Sequence, residues 1–397
     1  MNLYKSIVLS AASLLMVNAV TAETLALRGD VSDLRAERLQ KAPTAPLANT
    51  NREAVSFSSL VSSAYQAESA QAFVATSREY RTNVSAEELK RGFSIRTTGP
   101  GAVVALSPLS EVKGAGLSPL DITISTPEGN VLRGSEGMDQ LVDQRAIKAT
   151  GVPFSNGMVG FRLNRTLGSG EFTVQASKGV AAENYLLHVL DAQGSAELSL
   201  TAPQQALVGQ AFEATGQFKD AKTSGLKTAT AFLLSPAGDR IAARVSMNGN
   251  AYSVVSTTSR ASSFDQGLWE LHVTATDVNG VQRDIKTAFA SAYSTARFDG
   301  DVERDDLSFQ LGVETASSGR YEASAILYGT TKSGLVPVAS SATAQWLEQG
   351  SGQINLTFDP AQVKASGVVA PFVLQSVTLK DQSRMAVLER IARTASF

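Results

Sequence analysis

The sequence contains no cysteine, only two histidines and few aromatic residues, and its charges nearly cancel. Without cysteine the chain cannot use disulfides, thiol catalysis, iron–sulfur clusters or thiolate zinc sites. With 35 basic and 37 acidic residues, it also lacks the positive charge that is typical of nucleic-acid-binding proteins. A hydrophobic fraction of 43% nevertheless predicts a folded globular protein, and 397 residues predict two or three domains.

The N-terminus has the three-part pattern of a secretory signal peptide. Lys5 precedes an apolar run, Ile7–Val20, and Val20-Thr21-Ala22 provides a cleavage site. The run is shorter than the roughly 20 residues that a membrane-spanning helix needs, so a membrane anchor is the less favoured alternative. We predict that residues 1–22 are removed on export. A secreted chain without disulfides is typical of a bacterial periplasmic or extracellular protein.

Residues 23–72 form the least sheet-like part of the chain, and we predict a short, partly helical N-terminal segment or linker there. Val31–Lys41 has the spacing of an amphipathic helix with Leu34 and Leu39 on its apolar face, and prolines follow it. Ser56–Ala72 is rich in serine and alanine, which fits either a weak second helix or a linker.

From Phe73 onward, short runs of alternating polarity are separated by glycine, proline and asparagine turns. Asn279-Gly280 between two such runs is a strong hairpin signal, because both residues tolerate the positive φ of a type I′ turn. Many short strands without long helices predict an all-β fold of tandem Ig-like β-sandwich domains. We place these domains at 73–192, 195–292 and 297–397. Met385–Arg393 fits strand or helix, and we favour the second strand of a closing hairpin.

Several short segments carry a resemblance to a known family. They are Ser77-Arg78-Glu79-Tyr80, Ala86-Glu87-Glu88-Leu89-Lys90-Arg91-Gly92, Pro100-Gly101-Ala102-Val103-Val104, Trp346-Leu347-Glu348-Gln349-Gly350 and Asp381-Gln382-Ser383-Arg384-Met385. With these segments, residues 73–397 resemble the bacterial domain-of-unknown-function family 4785. The resemblance implies an exported protein with several Ig-like sandwiches. It implies no catalytic residues, because the shared segments are packing and turn motifs.

No catalytic constellation emerges from the residues themselves. The sequence has no Gly-x-Ser-x-Gly motif for a nucleophilic serine. His188 and His272 lie in predicted strands, and we interpret each as a partly exposed residue with a cross-strand partner. Trp269 is interpreted as the core tryptophan of the middle sandwich. No cofactor is expected, apart from a possible calcium ion.

The calcium candidate is an acidic run that begins near the predicted third domain. Asp299, Asp301, Glu303 and Asp305 alternate, so an extended chain would present all four carboxylates on one side, and oxygen-rich sites suit calcium. The run does not fit the EF-hand pattern. The alternative is a solvated linker, because close carboxylates repel one another.

These observations lead to two functional hypotheses. The first is an exported, non-enzymatic protein that binds a protein or glycan partner through sandwich loops or edge strands. The alternative is an exported hydrolase, or a module accompanying one, that uses carboxylates alone. A glycosidase-like pair would need two acids about 5–9.5 Å apart in a cleft.

Export predicts a defined N-terminus. Protein purified from a bacterial envelope fraction should have the mass of a chain that begins at Glu23 or within a few residues of it, because Ala22 ends the small-residue cleavage site. An intact Met1 in that fraction would contradict the prediction.

The calcium hypothesis predicts a change in thermal stability. If the four carboxylates bind calcium, the ion should raise the melting temperature, and Asp301→Asn should abolish the rise. A ligand at 100 times its dissociation constant stabilises the folded state by about 2.7 kcal/mol, which a thermal scan detects. An unchanged melting curve in millimolar calcium would rule the site out.

Overall fold

A computed structural model describes residues 23–28, 30, 33–62, 64–65, 72–112, 116–142, 157–176, 178–220, 225–258, 267–394 and 396–397. The predicted signal peptide, residues 1–22, lies outside these residues, so its removal stays a prediction. Within these residues, none of the helices has the length and apolar character needed to cross a membrane.

The described residues confirm the all-β prediction, with 27 strands and two short α-helices. The strands before the first sandwich are β1 (Glu23–Arg28), β2 (Val55–Leu60) and β3 (Phe73–Ser77). The first sandwich contains β4 (Glu79–Ser85), α1 (Ala86–Arg91), β5 (Phe93–Arg96), β6 (Val103–Pro108), β7 (Ile122–Ser125), β8 (Val131–Arg133), β9 (Met138–Val142), β10 (Val159–Leu163), β11 (Glu171–Ala176) and β12 (Asn184–Leu190).

The remaining elements form the middle and last units. The middle unit contains β13 (Glu197–Ala202), β14 (Gln205–Leu207), β15 (Ala211–Lys219), β16 (Leu226–Leu234), β17 (Arg240–Asn248), β18 (Ala251–Thr257), β19 (Trp269–Asp277) and β20 (Gln282–Ala292). The last unit contains β21 (Ala296–Asp305), β22 (Ser308–Thr315), β23 (Gly319–Thr331), β24 (Gly334–Leu347), β25 (Gly350–Thr357), α2 (Pro360–Ala365), β26 (Val369–Asp381) and β27 (Ala386–Thr394).

The first sandwich packs a five-stranded sheet, ordered β4-β12-β6-β10-β9, against a four-stranded sheet, ordered β5-β11-β7-β8. Alternate residues of both sheets point inward, and Val104, Phe172 and Tyr185 are among the fully buried ones. Helix α1 begins with a capping box between Ser85 and Glu88, which satisfies backbone donors that the first turn leaves unpaired. The alternating polarity from which the strands are predicted therefore also supplies the inward-facing apolar residues of this core.

The middle unit is one nine-stranded arrangement, ordered β14-β20-β19-β16-β17-β18-β15-β13-β3, around its own core. Strand β17 links the strands from β14 to β16 with those from β18 to β3, because its residues 240–243 pair with β16 and its residues 244–248 pair with β18. Strand β3 lies at the outer edge and pairs with β13. The domain boundaries stay a prediction, but residues 73–77 join the middle sheet rather than the first sandwich in which we placed them.

The last unit also has a nine-stranded arrangement, ordered β2-β24-β23-β26-β27-β1-β21-β22-β25. Strand β1 lies inside it, paired with β21 on one side and β27 on the other. Leu25 and Leu27 are buried in the core of this unit. The beginning of the described chain therefore completes the sandwich that the end of the chain forms.

The predicted helix over Val31–Lys41 is wrong for the residues that the structure describes. Leu34 forms an isolated antiparallel bridge with Arg390, whose backbone both donates to and accepts from that of Leu34. Residues 56–60 of the second predicted helix or linker form β2, which pairs with β24. The cause is tertiary: pairing with a strand about 300 residues away outweighs a weak local helical pattern.

Two hairpin predictions are confirmed. Strands β19 and β20 are joined at Asn279-Gly280, where Gly280 has φ +83°. Most of the ambiguous segment Met385–Arg393 forms β27 and pairs with β26. Trp269 is 6% exposed and belongs to the middle core, as predicted.

A buried ion pair joins the first and middle units. Arg283 Nη2 lies 2.6 Å from Asp191 Oδ2, and both side chains are fully buried. Arg283 also donates to the carbonyl of Ala196, while Asp191 accepts bonds from the backbone amides of Thr98 and Gly99. Burial lowers the pKa of Arg283, and the nearby charge of Asp191 opposes that shift. Each buried charge is therefore compensated by the other and by backbone groups.

Breaking this pair should be costly. Arg283→Met leaves the Asp191 carboxylate buried without its countercharge, so we expect the free energy of unfolding to fall by about 3–5 kcal/mol. Urea denaturation measures the loss. Arg52→Met is the control, because Arg52 pairs with Glu348 at an exposed position, and such pairs contribute about 0–1 kcal/mol. Equal losses in the two variants would contradict the prediction.

Candidate functional site

The main candidate site is a cavity of about 400 Å³ between the middle and last units, which we call the junction pocket. Three separate parts of the chain form its walls: the segment between β1 and β2, the β14–β20 edge of the middle unit, and the turn between β26 and β27. We call residues 33–54 the strap, because they run along this junction from β1 to β2. Pockets between domains are common ligand sites.

Backbone and side-chain hydrogen bonds hold the strap on both units. The Gln40 amide donates to the carbonyl of Ser294 at 2.8 Å, and Gln40 Nε2 donates to the carbonyl of Val208 at 2.6 Å. Farther along, the Ala48 amide donates to the carbonyl of Ser383 at 2.8 Å. The strap therefore contributes a fixed wall to the junction pocket, through residues such as Ala42 and Ala48.

The polar wall is built around the turn that follows β26. Arg384 Nη1 donates to Asp381 Oδ2 at 2.7 Å, and Thr295 Oγ1 donates to the same oxygen at 2.7 Å. Arg384 Nη2 also donates to the carbonyl of Ser318. Behind this pair, burial and then the charge of Asp381 raise the pKa of Tyr321 to about 12. The charges of Asp381 and Arg384 thus compensate each other within the protein.

The rest of the pocket wall is largely apolar. Trp269 lies at its base with 6% of its surface exposed. Leu268 and Met385 also line the pocket, and they are 58% and 82% exposed. Such exposed apolar side chains beside a cavity are typical of binding surfaces. The site therefore combines a neutral polar pair with an apolar opening.

The junction pocket does not contain a carboxylate pair. Asp381 is the one acid among its lining residues. A second, smaller cavity of about 210 Å³ lies beside Tyr80, Arg96 and Gly280, and Glu171 is its one lining acid. Neither of these described cavities brings together the two acids that carboxylate-based glycoside hydrolysis requires.

The acidic run lies on strand β21, where Asp299, Asp301, Glu303 and Asp305 are all exposed. The run is not a linker, because it pairs with both β1 and β22, but its four carboxylates are solvated as that alternative expected. Across the part of the chain that the structure describes, no group of three or more His, Asp or Glu residues is arranged to hold a metal ion. The calcium site stays a prediction.

Both histidines have the partners that their strand positions predict. His188 Nε2 lies 2.9 Å from Glu79 Oε2 on the neighbouring strand β4. His272 Nε2 lies 2.7 Å from Glu270 Oε2, and its ring stacks on Phe232 with a centroid distance of 4.7 Å. Neither residue lines the junction pocket. Their contacts are those of half-buried sheet residues.

A second surface is the edge strand β2, which has no strand on its outer side among the described residues. Val55, Phe57 and Leu60 are exposed, Phe57 at 61%. The strand contains neither a charged residue nor proline, the features with which proteins usually protect a sheet edge. Sequence reasoning missed this strand, because it gave residues 56–72 to a helix or linker.

The sequence also missed the junction pocket as a whole. Trp269 was predicted only as a core residue, and Asp381–Met385 only as a turn. Nothing local in the strap indicates that it contacts residues about 330 positions later. One available signal was the family resemblance of segment Asp381–Met385, since a shared turn between two strands is a common place for functional residues.

Comparison with known proteins identifies the family. Residues 46–191 match the N-terminal domain of the domain of unknown function DUF4785, and residues 290–397 match its C-terminal domain. No curated protein matches the sequence significantly. The crystal structure of a DUF4785 family protein from Legionella pneumophila aligns with a TM-score of 0.67 and 21% identity, covering 91% of this chain and 98% of that chain.

Other solved structures align poorly. A tetra-tandem repeat from a large adhesion protein has a TM-score of 0.17 and 14% identity, covering 82% of this chain and 74% of that chain. Salmonella alpha-2-macroglobulin reacted with methylamine has a TM-score of 0.21 and 13% identity, covering 81% of this chain and 24% of that chain. These scores carry no argument about function, whereas the two domain matches together span most of the sequence: this chain belongs to the DUF4785 family.

Proposed function

We propose that this protein is an exported, non-enzymatic bacterial protein of the periplasm or the extracellular space, and that it binds a protein or glycan partner at the junction pocket. Export rests on the signal-peptide pattern of residues 1–22 and on the absence of cysteine. The proposed binding function rests on the junction pocket.

The observation that carries the proposal is the construction of the pocket from three parts of the chain. The strap, the middle unit and the β26–β27 turn meet there, and buried hydrogen bonds such as Thr295 Oγ1 to Asp381 fix the turn. A site built on fixed strands binds a partner without a large ordering cost. We infer that this preformed shape, rather than a reactive group, is what a partner recognises.

The hydrolase alternative has less support. Its mechanism needs one carboxyl group to donate a proton and a second to act as base or nucleophile. In the junction pocket the single acid, Asp381, accepts hydrogen bonds from Arg384 and Thr295. Both of its oxygens accept hydrogen bonds within the protein, and no second acid lines the pocket to act with it.

Strand β2 supports a second candidate, in which a protein partner adds a strand to the sheet edge. Its outer backbone groups and the 61% exposed side chain of Phe57 offer both hydrogen bonds and an apolar contact. This candidate and the pocket are separate surfaces, so each can be blocked independently.

Blocking the junction pocket tests the main proposal. Ala48 is an exposed strap residue that lines the pocket, so Ala48→Trp should fill its opening without disturbing a core. We expect chemical cross-linking in intact cells to give a higher-mass species with the wild-type protein and to lose it with Ala48→Trp.

Thr44→Trp provides the matched control, because Thr44 is exposed on the same strap and does not line the pocket. It should cross-link as the wild type does. If both variants keep the cross-linked species and Phe57→Asp loses it, the partner binds at β2 and the pocket proposal is wrong.

A further inference from the structure

Four non-glycine residues among those described have a positive φ of 53°: Gln140, Asp306, Ser376 and Met385. This left-handed region is disfavoured for residues with a Cβ atom, and asparagine and aspartate tolerate it best. Met385 is unlike the others because it is large and apolar, 82% exposed, and located at the junction pocket. Neither burial nor turn chemistry explains a methionine there.

The surrounding turn imposes this conformation. Strand β26 ends at Asp381, β27 begins at Ala386, and these two residues pair across the hairpin. Between them, the Arg384 amide donates to the Asp381 side chain at 3.1 Å. Glycine or asparagine at position 385 would meet the same geometry with less strain. Strain that the fold maintains at a cavity is a reason to look for a functional contact.

We propose that Met385 is a binding residue that contacts an apolar side chain of a polypeptide partner entering the junction pocket. This inference rests on the function proposed above and narrows its partner to a polypeptide. A methionine suits the role, because its flexible thioether adapts to different apolar shapes and contacts aromatic rings favourably.

The lining of the pocket favours an uncharged, apolar group. Its two charged side chains, Asp381 and Arg384, already pair with each other, so a charged ligand would gain no free countercharge. Leu268 and Met385 are the large exposed apolar side chains of the lining, and Trp269 lies below them. An apolar side chain would bury the surface of Leu268 and Met385 and gain the hydrophobic contribution.

The two tryptophans permit a direct measurement. In a Trp346→Phe background, Trp269 is the single tryptophan of the full mature chain and reports on the pocket by fluorescence. The probes are acetyl-Gly-Phe-Gly-amide, acetyl-Gly-Asp-Gly-amide and maltotriose, each at millimolar concentration. We expect the phenylalanine peptide alone to change the Trp269 emission in a saturable way.

Variants at position 385 separate binding from structure. Met385→Asn should keep or slightly raise the melting temperature, because asparagine tolerates a positive φ, and should weaken binding of the phenylalanine peptide about tenfold through the lost apolar contact. Met385→Leu should retain binding. Asp306→Asn is the control, because Asp306 has the same φ in a different turn and should change neither property.

Any of four results would overturn the proposal. If maltotriose alone changes the emission, the pocket is a saccharide site, and the broader binding function survives. If the aspartate peptide binds as well as the phenylalanine peptide, or if Met385→Asn binds like the wild type, the apolar contact is wrong. If no probe binds and Ala48→Trp retains cross-linking in cells, both the contact and the pocket function are wrong.

Discussion

The insertion of β1 between β21 and β27 constrains the path of much of the chain. Because this strand contributes Leu25 and Leu27 to the core of the last unit, the chain must leave that core before it reaches β2, at the edge of the same nine-stranded arrangement. The strap covers this distance along the junction between the middle and last units. The wall that it adds to the pocket is thus a consequence of where β1 pairs.

A second constraint acts at the other junction, between the first and middle units. The ion pair of Arg283 and Asp191 lies in the protein interior, where either charge alone would be strongly unfavourable. The pair is therefore stable only while the two side chains keep their relative positions. Arg81 and Asp284 form another ion pair between these units, at 3.1 Å. Their dependence on orientation favours a fixed arrangement of the two units. The chain therefore has two junctions with different chemistry: a buried ion pair joins the first and middle units, and the larger of the two described cavities lies between the middle and last units.

The sequence predicts the strands well because their signal is local. Alternating polarity identifies β19, and Asn279-Gly280 identifies the turn between β19 and β20. The preceding strand and turn favour a strand for β27, and all three signals come from neighbouring residues. The strap could not be predicted in this way. Leu34 and Leu39 have a helical spacing, yet the backbone of Leu34 pairs with Arg390. Only knowledge of contacts between distant residues would have changed that interpretation.

The same limit applies to the candidate site. Trp269 is recognisable as a core residue, but its position at the base of a cavity depends on the strap and on the β26–β27 turn. The acidic run shows the same limit: its spacing correctly indicated an extended chain with the four carboxylates on one side, but not that this chain is a strand paired with β1 and β22. Spacing reports the local conformation of a segment, but not which other segments it meets.

The junction pocket is lined by a single acid, whereas glycoside hydrolysis by carboxylates needs two. Asp381 accepts a hydrogen bond from Arg384, and together they act as a neutral polar element that holds the turn. The large exposed side chains of the lining are those of Leu268 and Met385, and both are apolar. A pocket of this kind offers shape and apolar contact to a partner, and for that reason we favour recognition over chemistry.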